Sequence, residues 1–168
     1  LTPSCANTRS GTIDERSMFK VLGVDVGLDG AIALVGHGFL AVEDMPTMGS
    51  GRQRVINGAE LCDIITRWAP DLAVVEKVHA FPGQGVSSAF RFGQALGTAE
   101  GVITGLKIPI KYVSPAAWKR SYRLTSDKEQ ARMRAIQLFP HMSDRLGRKK
   151  DHDRAEALLI AALQQDGE

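Results

Sequence analysis

Between Phe19 and Met45 three apolar, β-branched runs follow one another, FKVLGVDV, AIALVG and GFLAVEDM, separated only by GLDG and by a turn at Gly36 to Gly38. Connections this short join antiparallel neighbours, because a parallel crossover needs a dozen residues or more. The chain therefore opens as a three-stranded meander. Two further apolar runs, DLAVVEKV and IPIKYV, each arrive after a helical stretch, so they are expected to add to the sheet as parallel strands.

The helical stretches carry their own signals. Asn57 caps a helix over roughly Gly58 to Trp68, with Pro70 beyond its end. A second helix runs from about Val86 to Thr104. Ser114 and Pro115 open a short third helix, SPAAWKRSY, and DKEQARMRAIQLF forms a fourth that stops at Pro140. The last, DHDRAEALLIAALQQ, places Ala155, Leu158, Leu159, Ala162 and Leu163 at core spacing. The order β-β-β-α-β-α-β-α-α-α predicts an α/β fold, a mixed five-stranded sheet of three antiparallel strands then two parallel ones, with helices on both faces. TMGSGRQRVIN reads as a loop.

The second helix repeats Ala89, Gly93, Gly97, Gly101 and Gly105 every four residues. Helical glycine costs about 1 kcal/mol each, so this ridge implies close packing. Approach to the sheet is the favoured account and packing against a second copy of the helix the alternative.

With 168 residues the chain holds one domain. Residues 18 to 168 are assigned to it, and residues 1 to 17, which lack apolar periodicity, to a tail left by expression or by a leader. No run approaches the ~20 apolar residues of a membrane span. Cys5 and Cys62 match no metal or disulfide pattern. A soluble protein of a reducing compartment, with no membrane partner, is expected. The net charge of +2 conceals an asymmetry: residues 107 to 154 carry 13 Lys and Arg against 5 Asp and Glu. Such clustering reads either as a solvated helical face or as the footprint of a phosphate-bearing partner.

Four carboxylates stand where secondary structure does not require them. Asp25 interrupts an apolar strand, and Glu76 ends another. Burying such groups is costly unless they are paired or bind a cation. Asp153 and Glu156 are three apart on the last helix and share a face with Ile160 and Leu163. Acids in a first helical turn also complement the helix dipole, but these two head an inward stripe. Four carboxylates from three separate elements suit two Mg²⁺ ions, or Mn²⁺, around a scissile phosphate.

The segments VLGVDVGLDGAIALV, DLAVVEKVHAFPGQGVSSAFRFGQALG, SPAAWKRSYRLTSDKEQARMRAIQLFP and RKKDHDRAEALLIAA, in this order and spacing, resemble the RuvC-type Holliday-junction resolvases of the RNase H-like superfamily. The phage and bacterial branch is the nearest match, and the chloroplast junction resolvases are also similar. The resemblance spans about Phe19 to Leu163. It implies an RNase H-like nuclease domain acting as a homodimer on four-way DNA junctions, with Asp25, Glu76, Asp153 and Glu156 as catalytic metal ligands. Glu156 departs from the aspartate often found at its position. Lys119 and Lys128 match lysines near the cleaved strand, and Arg148, Lys149 and Lys150 lie just before the metal-binding helix. Each alone reads as a solvated charge, and the five as a group read as phosphate contacts.

In the loop after Glu76 the family stacks an aromatic residue on bases. His79 occupies that register, and Phe81 is the candidate DNA contact, with a core role the alternative. Gln84 is a weaker candidate. His152 either assists at the metal site or opens its helix, His37 and His141 read as turn residues, and Trp68 and Trp118 as core. The bacterial or phage-infected cytoplasm is the expected location, with the chloroplast as the other. An enzyme acting on RNA or other branched intermediates, a non-catalytic junction-binding protein and an actin-like ATPase are the competing readings. The last needs a duplicated domain that 168 residues do not accommodate.

Overall fold

The computed structural model describes residues 19 to 77 and 85 to 164. The tail assigned to residues 1 to 17, and with it the start of the domain at Met18, lies outside the described residues. So do His79, Phe81 and Gln84. The strands are β1 (Lys20–Asp25), β2 (Ala31–Gly36), β3 (Phe39–Asp44), β4 (Thr47–Met48), β5 (Val55–Ile56), β6 (Leu72–Glu76) and β7 (Ile110–Val113). The helices are α1 (Gly58–Trp68), α2 (Val86–Gly105), α3 (Pro115–Ser121), α4 (Lys128–Leu138) and α5 (His152–Ala162).

The main sheet has the order β3-β2-β1-β6-β7. β1 pairs antiparallel with β2 and β2 with β3, while β6 runs parallel to β1 and β7 parallel to β6. This is the mixed sheet expected from the sequence. One segment differs: TMGSGRQRVIN holds the short antiparallel pair β4 and β5, with Thr47 opposite Ile56. Two-residue strands fall below what periodicity in a sequence can signal.

Strand alternation assigns each residue of β1 and β6 to a face. Leu22, Val24, Ala73 and Val75 join the core beneath α1 and α2, together with Leu61, Ile65, Ala99 and Ile103. Val21 and Val74 join the opposite core, with Trp118, Ala131, Leu158 and Leu159. By the same alternation Asp25 and Glu76, at the carboxyl ends of two adjacent parallel strands, project to the α5 side.

α5 is buried on all sides from Ala155 to Ala162, because it lies between the sheet and α4. A helix apolar all round is an interior helix. It touches the sheet closely at Gly23, where an added Cβ would come 2.2 Å from the Ala157 carbonyl oxygen and 2.5 Å from the Ala161 nitrogen.

The glycine ridge of α2 behaves otherwise than the favoured expectation. The residues of α2 that face the sheet are Ala95, Ala99 and Ile103. At Gly93, Gly97, Gly101 and Gly105 an added Cβ would meet nothing within 4 Å. Sheet packing uses the adjacent alanine stripe, and the glycine stripe faces outward with Phe90, itself 74% exposed.

Gly23→Ala is expected to force α5 off the strand, since the obstruction is helix backbone rather than a flexible side chain. The loss should be ~3 kcal/mol or more, read as a lowered urea midpoint in equilibrium unfolding.

Candidate active site

β1 and α5 run so that the carboxyl end of the strand meets the amino end of the helix. From their contact at Gly23, two strand residues lead about 6.6 Å to Asp25. Four helical residues lead back from Ala157 about 6 Å to Asp153. The matched distances bring the acids together: one oxygen each from Asp25, Asp153 and Glu156 lies within 4.8 Å of the others. Asp25, Glu76 and Glu156 are all buried. Glu76 stands beside the trio and accepts a 2.7 Å hydrogen bond from Trp118 Nε1.

Burial pushes the Asp25 carboxyl well above the usual carboxylate range, and the neighbouring Glu76, Glu156 and Asp153 push it further, with Lys128 opposing. Glu76 is also raised, first by burial, while its bond from Trp118 acts the other way. Glu156 Oε1 is buried without a hydrogen-bond partner; Lys119 Nζ is near it at the ion-pair distance of 3.5 Å. Lys128 Nζ lies 3.4 Å from Asp153 Oδ1. His152 Nε2 lies 3.1 Å from the same oxygen and its Nδ1 2.9 Å from the Lys149 carbonyl. A set of acceptor-only oxygens with one left unsatisfied fits a hard divalent cation.

A crevice of about 670 Å³ opens beside Asp25 and Asp153, with Lys128, Arg148 and Lys150 on its wall. Lys119 reaches the site from α3 instead, and Lys149 is exposed just before α5. The basic stretch is partly consumed internally. Arg132, Arg145, Arg148 and Arg154 pair with Glu129, Glu43, Asp151 and Asp44. Arg148 binds the buried Asp151 through its backbone N–H at 2.8 Å and Nη2 at 2.9 Å, which holds the Asp151 carboxyl below its usual range. The guanidinium thus anchors the turn that launches α5 as well as facing the crevice.

Three residues were not singled out in the sequence as parts of the site. Trp118 grips Glu76. Arg154 clamps Asp44 at the end of β3 with two bonds of 2.5 Å. Arg54 binds Asp29 at 2.6 Å, the Leu28 carbonyl and Thr47, holding the loop that follows Asp25. Only Trp118 carried a signal, since a buried indole N–H needs an acceptor.

No protein-family model matches the chain. It is 29% identical over 159 residues to the crossover junction endodeoxyribonuclease RuvC of Histophilus somni, covering 86% of this chain and 78% of that protein. It is 27% identical over 157 residues to the chloroplastic Holliday junction resolvase MOC1 of Chlamydomonas reinhardtii, covering 92% of this chain but only 15% of that protein's length. The structure of Thermus thermophilus RuvC superposes with a TM-score of 0.56 at 16% identity, over 86% of this chain and 93% of that one. The chain is RuvC-like in sequence and in fold. The yeast mitochondrial Holliday junction resolvase Ydc2 also superposes, with a TM-score of 0.55 at 14% identity, over 89% of this chain and 79% of that one. The mixed five-stranded sheet expected from the sequence is the sheet observed. No helix among the described residues is long and apolar enough to cross a membrane.

Because the folded state disfavours ionised Asp25, the metal-free protein is expected to lose stability as pH rises past the usual carboxylate range. In EDTA at pH 8, Asp25→Asn should therefore melt above the wild type. The gap should narrow toward pH 4 and reverse when saturating Mn²⁺ is added, as read by thermal unfolding.

Proposed function

We propose that this chain is a metal-dependent, structure-selective endodeoxyribonuclease that resolves four-way DNA junctions by paired nicks. The observation that carries the reading is the convergence of Asp25, Asp153 and Glu156 within 4.8 Å, with Glu76 on the neighbouring parallel strand of a RuvC-like sheet. The four carboxylates would hold two Mg²⁺ ions, with Mn²⁺ as a substitute. Such ions stabilise both the attacking and the leaving oxygen of an in-line displacement at phosphorus. The protein's own part is to orient. Asp25 and Glu76 are fixed by the strand ends, Asp153 and Glu156 by the buried α5. Lys128, Arg148 and Lys150 on the crevice wall, with Lys119 and Lys149 beside it, draw the phosphate backbone toward the acids. Phe81, outside the described residues, is the candidate to stack on bases. Cleavage leaves 5′-phosphate and 3′-hydroxyl ends.

The proposed active form is a homodimer built on the outward stripe of α2. Gly93, Gly97, Gly101 and Gly105 leave open space above the helix, flanked by the exposed Phe90 and Val86. Glycines four apart allow two helices to approach backbone to backbone, which offsets the cost of helical glycine in a way that an exposed monomer surface does not. Two sites related by a two-fold axis would then cut strands of like polarity.

The direct test is a labelled four-way junction, compared with a Y-fork and structured RNA, incubated with and without Mg²⁺. The wild type should nick the four-way junction symmetrically and only with the metal. Asp25→Asn should bind and not cut. Cutting retained by Asp25→Asn would contradict the site, and a preference for RNA or the fork would contradict the substrate. Gly97→Arg should leave the circular dichroism spectrum unchanged and convert the species seen by light scattering from dimer to monomer, with paired nicks lost.

A further inference from the structure

Glu76 ends β6 opposite Val113, the last residue of β7. Ser114 caps the next helix by accepting from the Ala117 N–H, and Pro115 fixes its first turn. The chain therefore turns back at once and delivers Trp118 beneath the end of β6. The indole is fully buried, 0% exposed, and donates from Nε1 to Glu76 Oε1 at 2.7 Å across 42 residues of sequence.

An indole has a single N–H donor and no acceptor, and this one is spent on Glu76 in a fully buried ring. The glutamate by contrast is a flexible side chain that a cation could draw in through either or both oxygens. Glu76 is also the one acid of the four outside the group whose oxygens lie within 4.8 Å of one another. Its carboxylate is held by Trp118, while Lys119, the next residue, stands 3.5 Å from Glu156.

We propose that Trp118 is a positioning residue that pins one oxygen of Glu76, so that this carboxylate meets a bound ion through its other oxygen alone. The inference rests on the nuclease reading of the acidic crevice and adds to it a determinant of metal choice. A fixed one-oxygen carboxylate suits the small, six-coordinate ions Mg²⁺ and Mn²⁺. Ca²⁺ readily takes both oxygens of a carboxylate in looser shells of six to eight ligands. Releasing Glu76 should therefore harm Mn²⁺ binding more than Ca²⁺ binding.

The experiment is calorimetric titration of the full chain with Mn²⁺ and with Ca²⁺. The variants are Trp118→Phe and Trp118→3-benzothienylalanine; the second keeps the shape of indole and removes only the N–H. Mn²⁺ affinity should fall about tenfold, as for loss of a partner that orients a metal ligand, with Ca²⁺ affinity unchanged or higher. In a Glu76→Ala background either substitution should leave Mn²⁺ affinity where Glu76→Ala alone puts it. An unchanged Mn²⁺ to Ca²⁺ preference in the benzothienyl protein would overturn the proposal. So would an equal further loss in the Glu76→Ala background, which marks a packing role. If the wild type cuts four-way junctions and the Trp118 variants bind Mn²⁺ as it does, this inference alone fails. If the Trp118 pattern holds in a wild type that cuts no junction, the nuclease reading alone fails.

Discussion

The site depends on how closely one helix lies on one strand. Gly23 in β1 has no side chain, and the backbone of α5 occupies the space that a Cβ would take, at Ala157 and Ala161. That contact fixes both the separation and the lengthwise register of the two elements. Because a strand advances about 3.3 Å per residue and a helix about 1.5 Å, the same contact decides which residue of α5 arrives at Asp25. Asp153 and Glu156 arrive there because they lie one turn and one residue before Ala157. The small residues along α5 serve the same approach: Ala155, Ala157, Ala161 and Ala162 are all buried.

Such precision brings like charges together in a poorly hydrated place. Burial and mutual repulsion raise Asp25 and Glu76, so the unliganded crevice works against folding. The surrounding structure holds it in place from several directions. Arg148 and Asp151 lock the turn before α5, Arg154 ties α5 to Asp44 on β3, and Arg54 ties the loop after Asp25 to the β4 and β5 pair. Lys119 and Lys128 offset part of the charge without satisfying every oxygen. The balance is that of a site that the proposed divalent cations, and phosphate at the basic wall, would complete.

Much of this was legible in the sequence because it is written locally. The strands announce themselves as β-branched runs, and Asn57, Ser114 and Pro115 mark helix starts that the structure reproduces. Asp25 and Glu76 stood out because an ionisable group at the end of an apolar strand needs a reason. The rest is not local. Which stripe of α2 meets the sheet depends on a choice that periodicity leaves open, and the stripe of Ala95, Ala99 and Ile103 is the one that shares a core with Leu61 and Ile65 of α1. Arg54, Trp118 and Arg154 act across 25, 42 and 110 residues. No spacing rule within a chain connects such partners; only the folded sheet does. The basic stretch likewise overstated the charge open to a partner, since four of its arginines bind acids of the same molecule.

The central claim is that folding builds a divalent-cation site from the ends of β1 and β6 and the first turns of α5. Anomalous diffraction from crystals equilibrated with Mn²⁺ tests it most directly. The account predicts anomalous density among Asp25, Glu76, Asp153 and Glu156. Density confined to exposed acids such as Asp63, with none among these four carboxylates at saturating Mn²⁺, would contradict it.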